Sequence, residues 1–187
     1  SFPTRRSSDL FTGRPTDYEI PMLEIVYSGY TLFYSSRCDF KRSRKFFNFG
    51  VGQGFIDGKQ IGWMNFDLFR PEFSDKLEFM KQCAQYRVDT KDYLTFGRML
   101  KPLHPENELP TFEEEFSGGG RHTAEVPAAE ARLWQAEDGR LGVFIANYVD
   151  AGTAFEYTID PNEYGLEAGS YQVTEVTPGG RKVLDKA

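Results

Sequence analysis

The chain is poor in the residues that most often announce a function. Among its 187 residues there are two cysteines, Cys38 and Cys83, and two histidines, His104 and His122. Two cysteines cannot make a disulfide framework. The histidines sit in Pro- and Gly-rich surroundings, with no His-x-x-x-His or Cys-x-x-Cys partner, so no metal site is expected. Apolar runs are short; Gly142 to Ala146 is among the longest, far below the length that spans a bilayer. Positive charge is also scarce, with 22 Lys and Arg against 28 Asp and Glu, net −6. Nucleic-acid binders and membrane-surface proteins need clustered positive charge, so neither partner is expected. Arg14, Lys41, Arg42, Arg44 and Lys45 form the one basic cluster, read as a solvated helix face. No Gly-x-Gly-x-x-Gly stands between a strand and a helix, and Ser117 to Gly120 lacks the Lys-Ser/Thr of a phosphate loop. No cofactor is expected.

What the chain has in abundance is aromatic surface: 17 Phe and 10 Tyr. That is incompatible with disorder, because disordered chains lack the apolar area that offsets chain entropy. The length fits one to two domains. Ser1 to Leu10 has no apolar core and is no secretory signal. It is similar, residue for residue, to a translated sequencing adapter. It is set aside from the fold as an artefactual leader, which makes residues 11–187 the expected C-terminal part of a longer protein.

Two textures follow. Residues 11–98 mix strand-like and helix-like pieces, and residues 99–187 read as all-β; the border falls near Gly97 to Pro110. Met22 to Tyr27, a short apolar run, predicts a buried parallel strand. Asp39 is a candidate cap for a helix running from Cys38 to about Gly54, weakened at its end by Gly50, Gly52 and Gly54. Gln60 to Met64 predicts a second strand. Pro71 to Tyr86 is the clearest helix, with Phe73, Leu77, Met80 and Ala84 at helical spacing. Asp89 can cap a short helix reaching Phe96. Beyond the border, Glu113-Glu114-Glu115 reads as a solvated linker run. Ala131–Gln135 and Leu141–Asn147 around Asp138-Gly139 predict a hairpin. Thr153 to Ile159 and Ser170 to Val176 alternate as strands. The resulting fold class is α/β plus all-β, with an antiparallel β-sandwich at the C-terminal end.

Tyr27-Ser28-Gly29-Tyr30, and Phe55 to Trp63 with its Phe-x-x-Gly-x-x-x-Gly-Trp pattern, resemble an uncharacterised bacterial family. Its members carry a glycoside-hydrolase-like (β/α)8 barrel closed by a C-terminal β-sandwich. The resemblance implies that residues 11–98 are the last two βα units of a truncated TIM-type barrel. Leu23 to Tyr27 would be strand seven and Gln60 to Met64 strand eight. Barrel sites lie at the C-terminal strand ends, which makes Tyr27, Tyr30, Trp63 and Asn65 candidate carbohydrate-binding residues. The paired carboxylates of glycoside hydrolysis would lie upstream, so the implied function is a carbohydrate-active but locally non-catalytic C-terminal part. The alternative is a carbohydrate-binding or purely structural β-sandwich. Asp57, Asp67 and Glu24 are lesser candidates for acid–base work; a carboxylate before Gly58 is more often a local turn acceptor. Trp134 is either a sugar platform or, more in keeping with a sandwich, a core residue.

Overall fold

The structure is a computed structural model, and it describes residues 22–35, 39–62, 65–116, 121–166 and 169–184. Its organising element is α2, Arg44–Ile56. Ser43 caps it, its hydroxyl accepting from the Phe46 amide at 3.0 Å, which satisfies one of the orphan donors of a helix start. Phe47, Phe49, Val51, Phe55 and Ile56 are all buried, on more than one side of the helix. A helix apolar nearly all round sits inside a fold rather than on its surface. The glycines expected to weaken its end have a packing reason. A Cβ on Gly52 would lie 2.8 Å from the Tyr148 ring, and one on Gly54 would lie 2.9 Å from Ser35 Cβ.

On one side of α2 lies α3, Ser74–Asp89, preceded by a 3-10 turn over Pro71–Phe73. The proline stands one turn ahead of the helix it was expected to start. Lys76, Met80, Cys83 and Arg87 form the buried stripe, while Ala84, expected inside, faces solvent. The short α4, Lys91–Leu94, follows Thr90 at its start rather than Asp89.

On the other side are antiparallel strands. β1 (Arg98–Leu103), β4 (Ala129–Gln135) and β5 (Leu141–Asn147) form a sheet ordered β1-β4-β5. The β4–β5 hairpin forms as expected, pairing Gln135 with Leu141 and Ala129 with Asn147; Gly139 supplies the positive φ of the turn, 87°. β1 occupies what reads in sequence as a border loop. It carries Pro102, which an edge strand tolerates. β2 (Thr111–Phe116) and β3 (His122–Pro127) form a separate pair, and β6 (Thr174–Thr177) and β7 (Gly180–Val183) another.

Four expectations are corrected. Met22–Tyr27 is a helix, α1, not strand seven. It lies near β1, and among the described residues its backbone pairs with no strand: its bonds close locally, as in the Ser28 amide on the Glu24 carbonyl at 2.9 Å. Strand eight is reduced to one isolated parallel bridge between Gln60 and Tyr34; Trp63 and Met64 lie outside the described residues. The structure is thus mixed helix and antiparallel sheet, with no closed barrel among the described residues. The Glu113–Glu115 run is strand β2, not linker. Phe112, Glu114 and Phe116 point inward, and Phe116 packs edge-on against Phe49 at 6.1 Å. Thr153–Ile159 is not a strand. Asn107 holds it instead, donating to the Ala154 carbonyl and accepting from the Glu156 amide. Of the apolar face that the alternation predicts, Phe155 and Ile159 pack against Leu103, Ala131 and Leu133, while Tyr157 is exposed.

The main core runs across the change in texture near residues 97–110. It joins Phe47, Phe49, Phe55 and Ile56 of α2 and Met80 of α3 with Phe112, Phe116, Val126, Trp134 and Phe144 of the strands.

Candidate functional site

Even-numbered residues of β4 face α2, and three of them carry polar atoms: Glu130, Arg132 and Trp134. They meet the C-terminal end of α2. The Trp134 indole donates to the Ile56 carbonyl at 2.9 Å. A Cβ on Gly58 would come within 2.5 Å of the same indole ring. Arg132 Nε donates to Asp57 Oδ1 at 3.0 Å. Arg87 of α3 donates to the Gly58 carbonyl at 2.6 Å. The Ile56 carbonyl therefore finds a donor, and two guanidinium groups stand just past the end of α2, where the negative end of the helix dipole favours cations.

The charges continue outward in alternation. Asp57 Oδ2 meets Lys59 Nζ at 3.2 Å, and Lys59 meets Glu24 of α1 at 2.9 Å. On the other side Arg132 Nη2 lies 3.7 Å from Glu130 Oε2, which accepts from the Tyr148 hydroxyl at 2.9 Å. Asp57 and Arg132 keep only 4 % and 6 % of their side-chain surface. Burial pulls down the Lys59 pKa, but Asp57 and Glu24 more than offset it and leave the ammonium above its ordinary 10.5. Burial likewise works against the Arg132 cation, and Asp57 and Glu130 overcome it. Burial holds the Tyr148 phenol well above its usual range, with the Glu130 carboxylate adding to the effect.

A shallow cleft opens beside this cluster, lined in part by Glu24, Ser28, Asp57, Gly58, Thr95 and Trp134. Its empty volume is about 270 Å³ only when the open mouth is included, and the enclosed part has room for little more than one water. Both carboxylates on its wall are engaged by Lys59. Asp57 is therefore neither a local turn acceptor nor a free acid; it is the anion shared by the buried Arg132 and the half-buried Lys59. Asp67 pairs with Arg70 at 2.8 Å on the surface.

The residues expected to bind sugar fall in two places. Tyr27 ends α1 and Tyr30 lies in the turn after it, both exposed, Tyr30 at 89 %. Asn65 caps a 3-10 turn over Phe66–Phe69, its side chain accepting from the Asp67 amide at 3.0 Å. Trp63 lies outside the described residues. Trp134 is a core residue. Sequence reasoning missed Lys59, Glu130, Arg132 and Tyr148. For Arg132 a signal was present: it shares a strand face with Trp134 inside a run otherwise rich in apolar residues, where a charge needs a buried partner. Among the described residues no group of three or more His, Cys, Asp or Glu side chains is placed to hold a metal, and no helix is long and apolar enough to cross a membrane.

Comparison with protein-family models, with curated proteins and with solved structures finds no match.

Proposed function

We propose that the chain is the C-terminal part of a carbohydrate-active, glycoside-hydrolase-like protein. On this reading the catalytic carboxylates belong to a part of the protein outside this sequence, and this part offers an aromatic contact surface. One observation carries the reading. Ile25 to Ser35 is an eleven-residue stretch without a formal charge, in a chain that is 27 % charged, and Tyr27, Tyr30 and Tyr34 in it are exposed. The backbone beneath is held: the Gln60 amide donates to the Phe33 carbonyl at 2.6 Å and the Ser35 amide to the Gln60 carbonyl at 3.0 Å. A ring on a held backbone loses little freedom on binding, and a tyrosine offers an apolar face for sugar C–H groups with a hydroxyl at its edge. The engagement of Glu24 and Asp57 by Lys59 supports assigning catalysis elsewhere.

The purely structural alternative draws support from Trp134, which is buried rather than presented as a platform. Titration of the 187-residue chain with neutral oligosaccharides, followed by calorimetry, separates the two. The proposal predicts saturable binding that Tyr30→Ala weakens roughly tenfold, equivalent to about 1.4 kcal/mol. It also predicts no turnover of aryl-glycosides. Absence of binding favours the structural role, and robust turnover refutes the placement of the carboxylates.

A further inference from the structure

We propose that Glu130 is a proton-operated site, at which the folded chain takes up a proton on acidification and so tightens the seam between α2 and the β4–β5 hairpin. Three carboxyl groups, Glu24, Asp57 and Glu130, share two cations, Lys59 and Arg132. The close contacts, 2.9 to 3.2 Å, all go to Glu24 and Asp57. Among the described cations Glu130 meets only Arg132, at 3.7 Å; its other partners, Tyr148 and Gln53, are neutral. It is the surplus anion, and a surplus anion among buried groups is relieved by a proton.

Glu130 also has the access such a site needs. Its side chain keeps 23 % of its surface, against 4 % for Asp57, so it is the carboxyl at this end of the cluster that can exchange a proton with solvent. The groups facing it are Arg132 on its own strand, Asp57 after α2, Gln53 within α2, and Tyr148 after β5. Tyr148 makes both states satisfiable. Its hydroxyl donates to Oε2 of the ionised carboxylate, and it can keep donating to that oxygen when the proton sits on Oε1, because a protonated carboxyl retains an accepting oxygen.

Burial pushes the Glu130 pKa above its ordinary 4.5, while Arg132 and Tyr148 pull the other way without cancelling it. A carboxyl raised by folding favours the folded state when protonated. Its contribution is full below the unfolded value near 4.5 and is lost as pH rises through the folded value.

The test compares the thermal midpoint of the full chain with that of Glu130→Gln, from about pH 5 to about pH 8. The amide mimics the protonated acid. The expected result is a variant midpoint roughly 2–4 °C higher near neutrality, with the gap closing toward the acid end. A constant gap, or a variant less stable at every pH, overturns the proposal. A carbon-13 titration of the glutamate carboxyls in the unaltered chain gives a second reading that needs no variant. Glu130 should titrate above the exposed glutamates, and titration together with them overturns the proposal.

Discussion

Arg132 shows how one buried side chain can join two parts of a fold. Its guanidinium is held between Asp57 and Glu130 in a site almost closed to water. Breaking a buried pair leaves an uncompensated charge, which costs more than the pair contributes when intact. Arg132→Met should therefore lower stability by about 3 kcal/mol or more, because Asp57 then keeps only Lys59. The Asp57→Asn, Arg132→Met double variant should cost clearly less than the sum of the two single changes, since each removes the other's stranded partner. Urea unfolding midpoints measured with unchanged slopes check both statements; strict additivity would mean that the two residues do not act as a pair.

At the scale of the element, α2 departs from ordinary helix rules. Gly to Ala in an exposed helix interior is worth about 1 kcal/mol of added stability. At Gly52 the sign should reverse, because the new methyl would lie 2.8 Å from the buried Tyr148 ring. We expect Gly52→Ala to cost about 1–3 kcal/mol, as overpacking does; a rise in its thermal midpoint would show that the contact is loose. The elements also mark what could be read from sequence. The β4–β5 hairpin was legible because Asp138-Gly139 forces a turn between two runs that alternate. α3 was legible to within a turn from its periodicity. α1 was not, because six residues of mixed apolar character suit a strand or a helix equally, and only the local hydrogen bonds of the folded chain decide between them. β2 was hidden by three consecutive glutamates: the inward pair Phe112 and Phe116 sits four residues apart, with Glu114 between them facing Arg42 and Ser43. The charged site was the least legible, since it is assembled from α1, the end of α2 and β4. No local pattern encodes which cation meets which carboxylate, although the exposed Tyr27 and Tyr30 were within reach of a strand-end rule that misjudged their element.

For the whole molecule, the main core crosses the two sequence textures, and only the smaller cluster around Leu103, Ala131 and Leu133 stays within one of them. Phe112 and Phe116 reach α2 from β2, Trp134 reaches the Ile56 carbonyl from β4, and the Asn48 side chain donates to the Tyr148 carbonyl from inside α2. Residues 99–187 without α2 would expose these groups and leave Arg132 without Asp57. α2 and strands β1 to β5 therefore stand or fall together. The direct measurement follows thermal or urea unfolding of the 187-residue chain by helix circular dichroism and, separately, by the near-ultraviolet signal of Trp134 in a Trp63→Phe background. One superimposable transition in both signals is the predicted result. A helical signal that melts while the Trp134 environment persists, or the reverse, would contradict it.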